Sequence, residues 1–137
     1  MIRVEVSMSE ELKRFIRTGG EQARKQSQKA LDELGIMGES KGKELLTPSV
    51  VYNRLRSSWH WENHKTKTFI YRNKDGESFN GVFRERPGKQ EVYIGTNVEY
   101  AESADRTSRS RGYLDAVFDY INMQFDWIFN KHLRKIN

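Results

Sequence analysis

Residues 2–7, IRVEVS, place Ile2, Val4 and Val6 on one side of an extended chain and Arg3, Glu5 and Ser7 on the other, the period of a strand with one buried face. Ser7 and Glu10 then stand at the spacing of a capping box, in which each side chain satisfies the other residue's free backbone N–H, so a helix is predicted to begin there. Leu12, Phe15, Ile16, Ala23, Ala30, Leu31, Leu34 and Met37 follow at spacings near three and four as far as LLTP, where Pro48 disfavours a helical Thr47. Gly19, Gly20 and Gly35 weaken this helix, and a kink or break is expected at one of them.

Between Pro48 and Arg111 the period falls to two. LRSSWHWE, KTKTFIYRN, SFNGVFRE and QEVYIGTN read as strands, with turns at NKDGES and RPGK, and a meander is the simplest connection. From Tyr113 to about Lys135 the pattern is helical again, with neither glycine nor proline inside. The order predicts an α+β domain: a small, mostly antiparallel sheet of about five strands packed with a long N-terminal helix and a C-terminal helix. With no internal repeat, low-complexity tract or linker, residues 1–137 read as a single domain.

The last helix carries more apolar surface than one core requires. Leu114, Val117, Phe118, Ile121, Phe125, Ile128 and His132 form a stripe able to cover the sheet, extended by Phe129 and Leu133. Tyr113, Ala116, Tyr120, Met123 and Trp127 form a second stripe. A helix apolar on two faces needs two surfaces to pack against: either it is wedged between sheet and first helix, or it meets a protein partner.

Composition narrows the class. Apolar residues are 36% of the chain and charged ones 31%, a polar balance, while 12% aromatics argue for a folded if thin core. The absence of cysteine removes disulfides, thiolate zinc sites and cysteine nucleophiles, and fits a reducing compartment. The start, MIRVEVSMSEEL, lacks the features of a signal peptide, and no stretch approaches the roughly 18 apolar residues of a membrane span, so a soluble, unexported protein without membrane contact is expected. A net charge of +5 permits nucleic acid or an acidic protein surface as partner.

Catalytic constellations are scarce. HWENH sets His60 and His64 around Glu62, but in a strand-like context the two rings stand about 13 Å apart at roughly 3.3 Å per residue, too far to share a metal. They read as partly exposed strand-end histidines. His132, near a helix C-terminus, suits the helix dipole. There is no P-loop, dinucleotide fingerprint, nucleophile elbow or acidic metal cluster in the sequence, and the chain reads as neither an enzyme nor a cofactor-binding protein. RTSRSRG, with YNRLRSSWHW, offers arginines suited to phosphate, so a small basic nucleic-acid-binding accessory protein is the alternative reading, though no helix-turn-helix, RNP-type aromatic pair or KH loop places them.

TPSVVYNRLRSSW, VYIGTNVEYAESAD and RGYLDAVFD, in that order, resemble the small tail-completion and head-tail joining proteins of long-tailed bacteriophages and prophages. Pro48, Leu55 and Ser58 match a helix-ending proline followed by Thr-Gly-x-Leu-x-x-Ser. Gly95, Thr96, Tyr100, Ala101 and Asp105 resemble a Gly-Thr-x-x-x-Tyr-Ala segment with a following acid, and Tyr113 and Leu114 a Pro-Phe-Leu start of the final helix. Tyr52 and Asn53 stand where the family has Thr-Gly, and Gly112 where it has proline. The resemblance spans about residues 45 to 119 and implies a structural virion protein. Such a subunit forms a homo-oligomeric ring, commonly hexameric, with tail-tube and neck proteins as partners and DNA passing through its channel without sequence-specific binding. It would be made in the host bacterial cytoplasm and end in the virion tail or neck.

A closed ring joins two unlike patches of each copy. Arg54, Arg56, Tyr100, Glu102, Asp105, Tyr120 and Trp127 are the candidate subunit interface, with Glu99 beside them; Arg106, Arg109 and Arg111 are the candidate contacts to the DNA channel or a neighbouring ring. Residues 101–112 have no apolar anchor beyond alanine and are expected to be flexible in the free subunit.

Overall fold

The computed structural model describes residues 2–46, 53–73, 75–98 and 112–136. In chain order these form β1 (Ile2–Ser7), α1 (Glu10–Leu46), α2 (Asn53–Ser58), β2 (His60–Glu62), β3 (Ile70–Arg72), β4 (Ser78–Asn80), β5 (Glu91–Thr96) and α3 (Tyr113–Leu133). The protein is an α+β fold with a long N-terminal helix, a C-terminal helix and two small antiparallel sheets.

The last strand is the central one. β5 pairs antiparallel with β1, Val4 opposite Ile94 and Val6 opposite Val92, and on its other edge with β2, Trp61 opposite Ile94. The sheet order is therefore β1-β5-β2, not a meander, and β3 and β4 form a separate hairpin with Tyr71 opposite Phe79. Asn73 closes that hairpin: its side-chain oxygen accepts the N–H groups of Asp75 and Glu77 at 3.0 and 2.9 Å. The expected strand KTKTFIYRN is cut short because Asn63 gathers Lys65 and Thr66 into a turn of its own. LRSSWHWE likewise divides. Its first half is helical, since Leu55 and Ser58 share a buried face three residues apart and the Ser58 hydroxyl donates to the Leu55 carbonyl at 2.8 Å.

The N-cap of α1 is Ser9 rather than Ser7, which is held in β1 opposite Glu91. Ser9 Oγ accepts the Leu12 N–H at 3.2 Å, and Glu10 and Glu11 lie in the first turn, where the helix dipole favours acids. The kink falls at Gly20, whose φ of 80° and ψ of −162° belong to a region essentially restricted to glycine. Where α1 ends relative to Pro48 lies outside the described residues.

Beyond the kink, α1 crosses the sheet on its glycines. A Cβ at Gly35 would stand 2.7 Å from Trp61 Cε3, one at Gly38 would stand 2.5 Å from Ile94 Cδ1, and one at Gly42 would enter the Trp59 indole. Gly35 is thus a point of close packing, not a break. Trp59 is fully buried, and its indole N–H donates to the Gly38 carbonyl at 3.2 Å, which fixes the ring against the helix backbone. Val4, Val6, Val92 and Ile94 join this layer with Leu31, Leu34, Val117 and Ile121 of the two helices. α1 and α3 are also tied by Glu33, which accepts from Lys131 Nζ at 2.5 Å and His132 Nε2 at 2.9 Å. His132 therefore joins two helices as well as lying at a helix end.

Alanine at an exposed helical position improves on glycine by about 1 kcal/mol, but overpacking a core costs about 1–3 kcal/mol. Gly42→Ala should therefore lower the denaturation midpoint. Gly35→Ala should lower it less, because the half-buried Trp61 has room to move whereas Trp59 is pinned by its hydrogen bond. Equal midpoints for Gly42→Ala and the unaltered chain would show that this face is not tightly packed.

Candidate functional site

The side of the sheet away from the helices holds a buried charge cluster. His60 and Glu62 alternate onto the same face of β2 and both are buried, contrary to the expected exposure of the strand-end histidine. Glu62 Oε2 lies 2.5 Å from His60 Nε2 and accepts the Phe83 N–H at 3.0 Å, while Oε1 forms an ion pair with Arg86. Arg86 also donates to the Thr66 carbonyl, so one guanidinium binds the 63–66 turn and the chain after β4 to the sheet. The His60 ring is stacked between Phe69 and Phe83, with centroids at 3.9 and 4.7 Å.

Burial pushes the His60 imidazole down to about 4, and the Lys43 and Arg86 cations act in the same direction, against the Ser58 carbonyl and Glu39. His60 Nδ1 lies 2.8 Å from the Ser58 carbonyl, so both ring nitrogens face oxygens inside the buried site. His64 stands apart, half-buried in the 63–66 turn, and no group of three or more His, Asp or Glu side chains able to hold a metal occurs among the described residues.

Several residues that carry the family resemblance meet at the other end of β5. Ser58 Oγ lies 2.5 Å from Thr96 Oγ1, and both residues are fully buried. The bonds run one way: the Val98 N–H donates to Thr96 Oγ1 at 3.1 Å, the Thr96 hydroxyl donates to Ser58, and the Ser58 hydroxyl donates to the Leu55 carbonyl. Trp59 meets Tyr113 edge to face at 5.5 Å, bringing the start of α3 to the same place. These side chains brace α2, β5 and α3 on either side of residues 99–111, so their role inside the chain is architectural.

Arg54 and Arg56 are engaged within the chain: the Arg54 guanidinium lies 4.2 Å from the Phe79 ring centroid, and Arg56 donates to the Lys43 carbonyl at 3.3 Å. Tyr120 is half-buried beneath Lys41. Trp127 is 59% exposed and Met123 77%. The buried face of α3 consists of Tyr113, Val117, Ile121, Ile128, Phe129 and His132, so Tyr113 moves from the expected second stripe into the core, while Phe118 of the expected core stripe is 49% exposed. Tyr100, Glu102, Asp105, Arg106, Arg109 and Arg111 lie outside the described residues, as does the expected flexibility of 101–112, except for Gly112, which starts α3 with a φ of 78°.

A cleft of about 790 Å³ that sequence reading missed lies where α1 passes the 63–66 and 88–90 turns. Arg24, Lys25, Lys29, Lys65 and Lys89 line it with His64. The signal in the sequence was the run of basic residues on α1, but nothing in it places two distant turns beside that run.

Thr96→Val should cost about 1–3 kcal/mol of unfolding free energy, because the Val98 N–H is left buried without its acceptor and Ser58 loses a donor; an unchanged midpoint would remove the brace. Stability should also fall between pH 6.5 and 4. In that window the unfolded imidazole binds a proton that folded His60 resists, at roughly 1.4 kcal/mol per pH unit for one group. Denaturation across the window should show this slope and should show it flattened in His60→Gln. No protein-family model, curated protein or solved structure matches the chain.

Proposed function

We propose that this chain is a structural virion protein of a tailed phage, a subunit that assembles into a ring at the tail top or neck, completes the tail and joins it to the head. The observation that carries the reading is the uncovered apolar side of α3. Met123 and Trp127 stand exposed on a helix whose opposite side is already buried against α1 and the sheet. Large exposed aromatic and Met side chains grouped on a rigid helix are the material of protein interfaces, where such residues are enriched and charged ones depleted. The resemblance supplies the occupant: another copy of this chain, or a neighbouring tail or neck protein.

The rest of the molecule is consistent with a building block. The α+β core is braced at Ser58, Thr96 and Tyr113, on both sides of the segment that carries Glu102, Asp105, Arg106, Arg109 and Arg111. Those charges are proposed to meet a neighbouring subunit and the DNA channel or adjoining ring. No helix among the described residues is long and apolar enough to cross a membrane.

Particles made without the protein test the assignment directly: filled heads separate from tails, or tails of uncontrolled length, are expected, and normal particles would refute it. Met123→Glu combined with Trp127→Glu should leave thermal unfolding of the free subunit nearly unchanged, since both positions are exposed, and should abolish incorporation into particles. Incorporation at the normal level would remove α3 from the interface.

A further inference from the structure

The cleft between α1 and the two turns is lined by more cations than carboxylates. Several basic side chains elsewhere are paired with carboxylates: Arg3 with Glu5 and Glu85, Lys131 with Glu33, and Arg86 with Glu62. Arg24, Lys25, Lys29, Lys65 and Lys89 have no hydrogen bond or ion pair among the described residues. The carboxylates that line the same cleft are Glu21 and Asp32, two against five cations, so positive charge is in excess there; Asp32 Oδ1 also accepts from Gln28 Nε2 at 2.9 Å and Asn63 Nδ2 at 3.1 Å.

That hydrogen bonding continues across the cleft and holds its walls in place. Gln28 Oε1 accepts the Gln90 N–H at 3.1 Å, so Gln90, Gln28, Asp32 and Asn63 link both turns to the helix. Gln90 has a φ of 64°, and it is the one non-glycine residue with positive φ among the described residues. Backbone strain of this kind persists only where surrounding bonds over-determine it, and it gathers at binding and active sites. Here the Gln90 hydrogen bond to Gln28 holds the turn that carries Lys89 at the cleft rim.

We infer that this cleft binds the phosphate backbone of a nucleic-acid duplex without reading its sequence. Its chemistry selects that ligand. Lysines and an arginine on short turns and a helix are sequence-independent phosphate contacts. Among the lining residues there is no Phe, Tyr or Trp on which an unstacked base could lie. Nor is there an apolar side chain to anchor a protein partner, whose binding energy concentrates in buried aromatic and apolar groups. A volume of about 790 Å³ is also far larger than a single phosphate ion requires. The inference goes beyond the assembly reading: it concerns the isolated chain and an interaction that needs no ring.

Fluorescence anisotropy with a labelled duplex of about 20 base pairs, between 50 and 200 mM salt, tests it on the full chain. The unaltered protein should bind weakly, with a dissociation constant of about 10⁻⁴ to 10⁻⁶ M, short of a dedicated nucleic-acid binder, and with affinity falling steeply as salt rises. Lys25→Ala, Lys29→Ala and Lys89→Ala together should weaken binding at least about tenfold at the lower salt and reduce the log–log salt slope by roughly 2 to 3, at about 0.9 per lost phosphate contact. The three corresponding Lys→Arg changes should restore both values. Arg14→Ala, Lys67→Ala and Lys135→Ala, exposed positions outside the lining of the cleft, should lower affinity far less. Equal loss in that control would mean that net charge alone attracts DNA, and would overturn the inference. So would unchanged binding in the cleft variant, displacement of the duplex by low-millimolar orthophosphate, or stronger competition from polyglutamate than from unlabelled duplex at matched charge. Failure here leaves the particle-assembly phenotype untouched, and an assembly failure leaves this measurement untouched.

Discussion

The close approach of α1 to the sheet is the constraint on which the other contacts depend. Gly35, Gly38 and Gly42 let the helix backbone lie directly on Trp61, Ile94 and Trp59, at separations that leave no room for a Cβ. Glycine in a helix sacrifices about 1 kcal/mol per position relative to alanine, so three within eight residues make sense only if the packing they permit offsets that loss. It does so by admitting two indoles, whose large apolar areas dominate a small core. The bond from Trp59 to the Gly38 carbonyl then fixes the register of helix and sheet, and with it the place where Tyr113 starts α3.

Because the helices occupy one face of a three-stranded sheet, the other face must be covered by something else. The chain between β2 and β5 supplies that cover with Phe69, Phe83 and the β3–β4 hairpin, and closes it over a carboxylate. Glu62 is tolerable in that interior because an imidazole, a backbone N–H and a guanidinium all converge on it. Its removal would leave Arg86 and the 63–66 turn without their shared anchor. One wall of the basic cleft is that same turn, so the interior charge cluster and the exterior cations are mechanically connected.

The surface divides by chemistry. α3 presents an apolar side suited to another protein, the α1 cleft presents an excess of cations suited to phosphate, and the two need not compete. The cleft is lined by α1 and the two turns and by no residue of α3.

The sequence alone determined the class of the fold. The period of two in IRVEVS and VYI, the three-and-four spacing of both long helices and the kink at a glycine pair are local effects of backbone geometry, and each is present in the structure. It did not determine the sheet order, because pairing between β1 and β5 joins residues some ninety positions apart and no local period encodes a partner. Ser7 looked like a cap until strand pairing claimed it, and LRSSWHWE looked extended until Leu55 and Ser58 found a common buried face. The i, i+2 spacing of His60 and Glu62 showed that they share a face, but not that the face is dry, since burial depends on what later chain folds over it. The cleft was equally hidden. Its lysines are visible in the sequence as scattered charges, and only the meeting of α1 with two distant turns makes them a site, because electrostatic potential is set by distance in space and not along the chain.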